Sequence, residues 1–299
     1  MYKQIDSNKR RSALLIILFI ILVIGLGVFF GYLTGYFYEL IFLAVILSLI
    51  MTLISYFKGD KIALKSAGAK GPIQKEDNPY VYRIVENLCI TSGQPIPKIY
   101  IISDPAPNAF ATGRKPELAS IALTTGIIDM LENEELEGVI AHELSHIKNY
   151  DIRLMMIVLV LVGTVALMSN WFLRFSSFGG RGRSRGGGQA GAIIAIVGIV
   201  LALISPLLAK IIKLAVSRKR EFLADADGSL LTRYPEGLAK ALEKISKYDK
   251  PMLRANNAMA HLYIASPFFG KKKFMSKLFA THPPIDERVK RLRGMERNY

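Results

Sequence analysis

Two histidines and a glutamate near the middle of the chain have the types and spacing of a metal-binding motif. The segment from Val139 to His146 contains His142, Glu143 and His146 in the order His-Glu-x-x-His. Residues four apart share one face of a helix, so both imidazoles can bind one Zn²⁺ ion at about 2.0–2.1 Å. Glu143 then stands beside the fourth position on the metal, where a water molecule is bound. The motif therefore predicts zinc-activated hydrolysis with Glu143 as the general base.

A catalytic zinc ion requires a third protein ligand, and Glu221 is the favoured candidate. The pattern from Ser217 to Leu231 predicts a helix in which Glu221 and Asp225 lie four residues apart on one face. Asp225 can then accept a hydrogen bond from the second N–H of a ligand imidazole, which fixes its tautomer. The alternative for Glu221 is a solvated acid that pairs with the basic residues 218–220. Three other candidate ligands are His261, His282 and Asp227.

The motif lies in a helix with an apolar stripe, and the elements around it indicate an α+β fold that is mainly α. Apolar residues at helical spacing predict helices over residues 78–92 and 134–148. Short apolar segments bounded by proline and polar residues predict strands over residues 98–103, 108–112 and 118–124. Helix, strands and helix together indicate a catalytic domain with a small β-sheet.

The chain is too apolar for two ordinary soluble domains. Of its 299 residues, 51% are hydrophobic, and the mean hydropathy is +0.31. An uncharged stretch of about 18 residues is long enough to cross the hydrocarbon layer as a helix. Such stretches run over residues 13–30, 40–57, 154–173 and 190–209. No small-x-small cleavage site follows the first, so we interpret it as an uncleaved anchor, and we predict about four transmembrane or membrane-embedded helices.

The formal charge of +15 favours the lipid bilayer as a partner. Lysines and arginines flank the apolar stretches, in residues 58–70 and 210–220, as the positive-inside rule describes. Nucleic acid is therefore not predicted as a partner. Cys89 is the single cysteine of the sequence, which excludes an internal disulfide and a thiolate metal cluster.

The apolar stretches divide the chain into four segments. Residues 1–57 form an N-terminal membrane anchor with two transmembrane helices, and residues 58–153 form the first part of the catalytic domain, with the motif helix. Residues 154–209 form an apolar hairpin, interpreted as transmembrane helices three and four, and residues 210–299 complete the catalytic domain with the third zinc ligand. The two halves of the site can meet only if the hairpin crosses the bilayer an even number of times. Arginines in its connecting loop oppose full spanning, so a spanning and an embedded hairpin both stay open.

Four motifs in the same order resemble those of the membrane zinc metalloproteases of the HtpX type, which are relatives of the CAAX prenyl proteases. The motifs are residues 108–113, residues 142–151, residues 218–225, and residues 281–284 followed by Arg288. The resemblance covers nearly the whole chain. It implies a zincin-like catalytic domain of the gluzincin type, with Glu221 as the third zinc ligand and Asp225 as the hydrogen-bond partner of a ligand histidine.

The resemblance also implies roles for residues other than the zinc ligands. It places Asn108 and Ala109 on an edge strand to which a substrate backbone adds in extended form. It places His282 and Arg288 near the tetrahedral intermediate, where a donor stabilises the developing oxyanion. By their residue types alone, Asn108 and Ala109 could equally serve ordinary strand or turn packing, and His282 could serve the entry of a helix before Pro283.

The function implied by these features is that of a zinc-dependent endopeptidase with one Zn²⁺ per chain. The resemblance implies a multi-pass protein of the bacterial cytoplasmic (inner) membrane, with a catalytic domain facing the cytoplasm, which hydrolyses membrane proteins or peptides in stress response and protein quality control. The alternative is a catalytically silent scaffold that binds zinc. A transporter or channel is disfavoured because the uncharged stretches also contain no histidine. No sequence feature specifies an oligomeric state.

Overall fold

Two long helices at the N-terminus form an apolar hairpin. The computed structural model describes residues 2–161, 163, 218–255, 258–268 and 283–296 of the chain. Helix α1 covers Tyr2–Thr34 and helix α2 covers Phe37–Ala67, and they are joined through Gly35. Only 17% of the most apolar window of each helix is buried, whereas the core helix of a soluble protein would be mostly buried. The described residues thus contain two helices that are long and apolar enough to span a membrane.

Helices α1 and α2 contact each other at their backbones because α1 carries glycines four residues apart. A Cβ atom on Gly27 would lie 2.6 Å from the Cβ atom of Ala44 and 2.9 Å from the carbonyl oxygen of Leu40. A Cβ atom on Gly31 would lie 2.9 Å from the Cα atom of Phe37. Small residues at this spacing let membrane helices associate through van der Waals contact. The two helices of the hairpin are therefore closely packed against each other.

A mixed sheet of four strands follows the hairpin. The strands are β1 (Ala69–Lys70), β2 (Lys98–Ile102), β3 (Ala109–Thr112) and β4 (Ser120–Thr124), in the order β1-β2-β4-β3. Strands β2 and β4 are parallel, while β1 and β3 pair antiparallel to their neighbours. The last strand begins two residues later than its pattern predicts, because Pro116–Leu118 forms a 3-10 turn. Strand β3 lies at the edge of the sheet, as the family resemblance implies for Ala109.

The helices of the domain begin and end at local capping signals. The other helices of the described residues are α3 (Pro79–Ser92), α4 (Thr125–Met130), α5 (Asn133–Lys148), α6 (residues 151–161), α7 (Arg218–Thr232), α8 (Pro235–Ser246) and α9 (Ile285–Glu296). Helix α3 begins where the Asn78 side chain accepts the Val81 N–H, and it ends at Gly93 with φ +65°. Helix α5 begins with a capping box. These ends agree with the predicted helices to within one residue.

Helix α5 lies at the centre of the domain. Every residue from Gly138 to Ile147 is buried, and the helix contacts β3, α3, α7 and α8. The apolar side chains of α5 belong to the main hydrophobic core together with those of α3 and α8. Polar groups on such a helix are removed from water, so each of them needs a partner within the protein.

The third uncharged stretch begins inside α6 and differs from the first two in its surroundings. Residues 154–161 are all buried, and Ile157 shares an apolar cluster with Phe19 and Ala44 of the membrane hairpin. Helix α6 therefore connects the motif helix directly to the hairpin. Most of the predicted second hairpin lies in residues 164–217, outside the described residues, so a total of four membrane helices stays a prediction.

Candidate metal centre

Three side chains from two helices meet at one point inside the domain. The Nε2 atoms of His142 and His146, both on α5, are 3.2 Å apart. Glu221 on α7 places one carboxylate oxygen 3.9 Å from Nε2 of His142 and the other 3.6 Å from Nε2 of His146. A tetrahedral ion bonded to each atom at about 2.0–2.2 Å would set neighbouring ligand atoms roughly 3.3–3.6 Å apart. The observed separations of 3.2, 3.6 and 3.9 Å lie within a few tenths of an ångström of this range, so the two nitrogens and the carboxylate could hold a divalent metal ion.

The burial of this cluster is a second observation in favour of a metal. His142, His146 and Glu221 are 1%, 5% and 0% exposed. An ionised carboxylate in such a place is costly unless a positive charge compensates it. A metal ion bound between the three groups supplies that charge and also satisfies both nitrogen lone pairs.

Asp225 fixes the orientation of the first imidazole. Its Oδ1 atom accepts a hydrogen bond from Nδ1 of His142 at 3.0 Å, which leaves Nε2 of that ring free of a proton and directed at the cluster. Arg288 in turn donates to both oxygens of Asp225, through Nε at 2.9 Å and Nη2 at 2.6 Å. Burial by itself would raise the pKa of Asp225, but Arg288 and His142 hold it at about 2. Asp225 is thus a carboxylate at any pH where the protein would work.

Asp151 performs the same task for the second imidazole. Its Oδ2 atom accepts a hydrogen bond from Nδ1 of His146 at 3.0 Å. Sequence reasoning did not single out Asp151, because a position five residues along a helix does not share a face with the first. The chain leaves α5 after Lys148 and turns through Tyr150, which has φ +60°, so that Asp151 points back toward the ring. The available signals were its acidic type just beyond the motif helix and its place at the end of the motif over residues 142–151.

The two imidazoles differ in their affinity for protons when no metal is bound. Burial lowers the pKa of His142 to about 4, so this ring is neutral at pH 7. For His146, burial is outweighed by the hydrogen bond to Asp151 and by the charges of Glu221 and Asp151, which raise its pKa to about 9. A metal ion that bound here at neutral pH would therefore have to displace a proton from His146.

Glu143 and Arg288 lie beside the metal-binding cluster. Glu143 is 2% exposed, and its negative charge contributes to the raised pKa of both His146 and Arg288. Arg288 is fully buried, and its Nη2 atom lies 3.4 Å from Nδ1 of His142 in addition to its bonds with Asp225. In this structure Arg288 therefore holds Asp225, the hydrogen-bond partner of the His142 imidazole.

The remaining candidate ligands of the sequence lie in other places. His261 is buried with Nε2 at 3.0 Å from the carbonyl oxygen of Met155, and it is not part of the cluster. Asp227 accepts hydrogen bonds from Ser145 at 3.3 Å and from Asn149 at 3.1 Å, so it links α7 to the end of α5. His282 lies outside the described residues.

The edge of β3 is paired with another segment of the chain at the two residues expected to meet substrate. The carbonyl oxygen of Ala109 accepts a hydrogen bond from the N–H of Ile264 at 2.9 Å. Asn108 is fully buried, and its side-chain amide donates to the carbonyl oxygen of Ala265 at 3.0 Å and accepts from the N–H of Ala265 at 3.3 Å. A substrate strand could add at Ala109 and Asn108 only after residues 264–265 move away.

Gly228 lets α7 approach the motif helix closely enough to complete the cluster. A Cβ atom at this position would lie 2.9 Å from the backbone nitrogen of His142 and 3.1 Å from its Cα atom. Gly228 follows Glu221 by two helical turns, so the contact and the ligand lie on the same face of α7. The absence of a side chain here therefore sets the distance between the two helices that carry the three clustered side chains.

We expect Gly228→Ala to push α7 and α5 apart, since backbone atoms cannot yield as the tip of a side chain can. The variant should lose about 1–3 kcal/mol of unfolding free energy. It should also bind metal at least roughly tenfold more weakly, as losses of supporting contacts around metal ligands do. Chelator competition and thermal unfolding measure both effects. Gly294→Ala, where nothing lies within 4 Å of the added Cβ atom, is the control. Unchanged metal affinity in Gly228→Ala would contradict this account of the helix contact.

Comparisons with known proteins show which family the chain resembles. The family model described as Peptidase family M48 matches residues 75–296, a range that includes the three clustered side chains. The chain is 44% identical over 294 residues to the Protease HtpX homolog of Dictyoglomus thermophilum, with 98% of this chain and 94% of the relative covered. It is 48% identical over 244 residues to the Protease HtpX homolog of Thermoanaerobacter pseudethanolicus, with 81% and 80% covered. The crystal structure of S. mikatae Ste24p matches with a TM-score of 0.47 and 21% identity, over 98% of this chain and 67% of that chain.

Proposed function

The chain belongs to peptidase family M48, and we propose that this membrane metalloprotease is a zinc-dependent endopeptidase whose substrates are membrane proteins and their exposed segments. Its two apolar helices and the buried cluster of two histidines and a glutamate support the coarse description, a metalloprotease of a membrane. Our proposal goes beyond this description in four respects: the identity of the metal, the roles of single residues, the substrates and the complete topology.

The choice of zinc is supported by the donor set. Two imidazole nitrogens and one carboxylate are ligands that zinc accepts in catalytic sites with three protein ligands, where the fourth position holds water. Structural zinc sites fill all four positions with protein ligands. Among the described residues, the grouped ligand atoms belong only to His142, His146 and Glu221. This three-ligand arrangement is the observation that carries the proposal, and it favours a catalytic role over a silent scaffold.

In the proposed mechanism each side chain near the cluster has one task. Bound zinc supplies a Lewis acid that lowers the pKa of water to about 7. Glu143 accepts the proton of the attacking water and passes it to the leaving amine. Asp225 and Asp151 accept hydrogen bonds from the Nδ1–H groups of His142 and His146, so that both Nε2 lone pairs stay directed at the position between the two rings and Glu221. Arg288 keeps Asp225 ionised and in place.

The choice of membrane substrates is supported by the position of the cluster. Asp151, the partner of His146, is the first residue of α6, and residues 154–161 of this helix pack against the membrane hairpin. The metal ligands therefore lie within a few helical turns of the apolar helices. We infer from this that residues 154–209 continue as a second membrane hairpin. On the resemblance to HtpX-type proteases, and not on this packing, we propose that the catalytic domain acts at the cytoplasmic face of a bacterial inner membrane.

Removal and replacement of the metal test the proposed function. Protein purified in detergent or nanodiscs should contain about one zinc per chain and should cleave a labelled multi-spanning membrane protein. Treatment with a chelator should lower cleavage by at least about 100-fold, and one equivalent of Zn²⁺ should restore it, since the water is not activated without the metal. Addition of Mg²⁺ or Ca²⁺, which prefer all-oxygen sites, is the control and should not restore it. Undiminished cleavage by metal-free protein would refute the proposal.

A further inference from the structure

A polar residue of the first membrane helix is buried beside the metal centre. Asn8 lies on α1, five residues before the uncharged stretch that begins at Ala13, and it is 1% exposed. Its side-chain amide donates to Oδ1 of Asp151 at 2.7 Å and to the carbonyl oxygen of Asn149 at 2.9 Å. Its Oδ1 atom accepts a hydrogen bond from Nη1 of Arg220 at 3.0 Å. One amide group thus meets three partners from other parts of the chain.

The partners of Asn8 lie directly next to the metal ligands. Asp151 holds the imidazole of His146 with its other carboxylate oxygen. Arg220 immediately precedes Glu221 on α7. Through these two contacts the start of α1 reaches α7, which carries Glu221, and the residue beyond the end of α5 that holds the His146 imidazole.

We propose that Asn8 is a positioning residue of the metal centre, so that the membrane anchor contributes to the active site and does not serve only as a tether. The inference rests on the proposed function in one respect, which is that the cluster binds zinc. An asparagine suits the position because its two N–H groups match a carboxylate and a carbonyl oxygen, while its oxygen matches a guanidinium. It is also neutral, so it approaches Asp151 without repulsion.

A comparison of the two imidazoles indicates what Asn8 does. Behind His142, Arg288 contacts Asp225 directly at 2.6 Å. Behind His146, the corresponding arginine, Arg220, lies 3.5 Å from Asp151, and the Asn8 amide bonds to both groups. Each imidazole is therefore held by a carboxylate, and each carboxylate lies beside an arginine. Among the described residues, a side chain of the membrane helix α1 takes part in the contacts behind His146 but not in those behind His142.

Loss of the Asn8 side chain would remove a hydrogen bond from both Asp151 and Arg220, and these two groups could replace it only by moving closer to each other. Nε and Nη2 of Arg220 have no hydrogen-bond partner among the described residues. Without the Asn8 amide, Arg220 gains most by closing on Asp151, and this rotates the carboxylate away from Nδ1 of His146. The imidazole then loses the contact that directs its Nε2 atom toward the metal.

The start of α1 is also held in place by contacts that flank Asn8. Lys9 places its Nζ atom 4.8 Å above the ring of Tyr150, in the turn between α5 and α6. Ser12, one helical turn after Asn8, is fully buried, and its hydroxyl has no hydrogen-bond partner among the described residues. Asn8 and Ser12 therefore share a face and a degree of burial, but only Asn8 bonds to groups that support the metal ligands.

The test compares full-length Asn8→Leu with Ser12→Ala in nanodiscs. Removal of a direct partner of a ligand costs 10–100-fold in metal affinity or activity, and Asn8 acts through such a partner. We expect Asn8→Leu, which keeps the side-chain volume, to bind zinc about fivefold more weakly by chelator competition, and the visible spectrum of the cobalt-loaded protein to change. Ser12→Ala should stay within about twofold of the wild type. Asn8→Ala replaces Asn8→Leu if the latter does not fold.

Thermal unfolding separates positioning from simple packing. A packing defect lowers the unfolding temperatures of the metal-free and zinc-bound proteins together, whereas weaker zinc binding reduces the difference between them. Wild-type zinc affinity and an unchanged cobalt spectrum in the Asn8 variants would overturn the proposal, as would an equal loss in Ser12→Ala. Failure of the wild type to bind zinc would instead refute the proposed function, so the two failures are distinguishable.

Discussion

Glu143→Gln is expected to lower the kcat/KM of peptide hydrolysis by about 10³-fold while zinc stays bound, because general acid–base catalysis contributes about 10²–10⁴-fold. Glutamine has the shape of glutamate and can still hydrogen-bond to a water molecule, but it cannot accept its proton at neutral pH. Glu143 is not one of the three clustered ligands, so the metal should remain. Cleavage kinetics measure the loss of kcat/KM, and the zinc content per chain shows whether the metal stays bound.

The control for Glu143→Gln is Glu134→Gln on the same helix. Glu134 lies in the exposed first turn of α5, and the same chemical change there should leave the rate within about twofold of the wild type. Near wild-type cleavage by Glu143→Gln would remove Glu143 from the role of general base. A loss of zinc together with activity would instead show that this carboxylate supports the metal.

Glu221→Ala is expected to abolish both metal binding and hydrolysis. The change removes one of three protein ligands and leaves two imidazoles without the carboxylate that offsets the charge of the ion. Removal of an outer partner of a metal ligand costs 10–100-fold, so removal of the ligand itself should weaken zinc binding by at least about 10³-fold. Zinc content after dialysis, chelator competition and cleavage of a membrane-protein substrate measure this effect.

Two further variants show whether Glu221 acts as a ligand. Glu221→Asp retains the charge but shortens the side chain, and it should keep part of the zinc affinity. Asp227→Asn, on the same helix, should stay within a few-fold of the wild type, because the amide oxygen can still accept hydrogen bonds from Ser145 or Asn149. Full zinc retention in Glu221→Ala together with zinc loss in Asp227→Asn would exchange the roles of the two acids.

The buried charges around the cluster depend on one another. The basic side chains Arg288 and Arg220 offset Asp225 and Asp151, which in turn hold His142 and His146. Breaking one member of such a chain leaves an uncompensated buried charge, so effects of single substitutions should not add. Under the proposal, a shift of the start of α1 would remove the Asn8–Asp151 hydrogen bond and thereby disturb the orientation of the His146 imidazole.

The sequence predicted the parts of the site that depend on local geometry. His142 and His146 lie on one face of α5 because a helix repeats every 3.6 residues, and Glu221 and Asp225 share a face of α7 for the same reason. The two N-terminal spans follow from the length and apolarity of their stretches, since the thickness of a bilayer sets the length of a helix that crosses it.

Contacts between distant parts of the chain could not be predicted in this way. Asn8 meets Asp151 from 143 residues away and Arg220 from 212 residues away, and no periodicity relates such positions. The direct bond of Arg288 to Asp225 and the pairing of Ala109 with Ile264 likewise depend on how the helices and the sheet pack. Helical spacing determined which side chains could bind a metal. The packing of α7 on α5, of α9 on α7, and of the start of α1 on the turn after α5 decided which buried charges hold them there, because these partners are selected by distance in space.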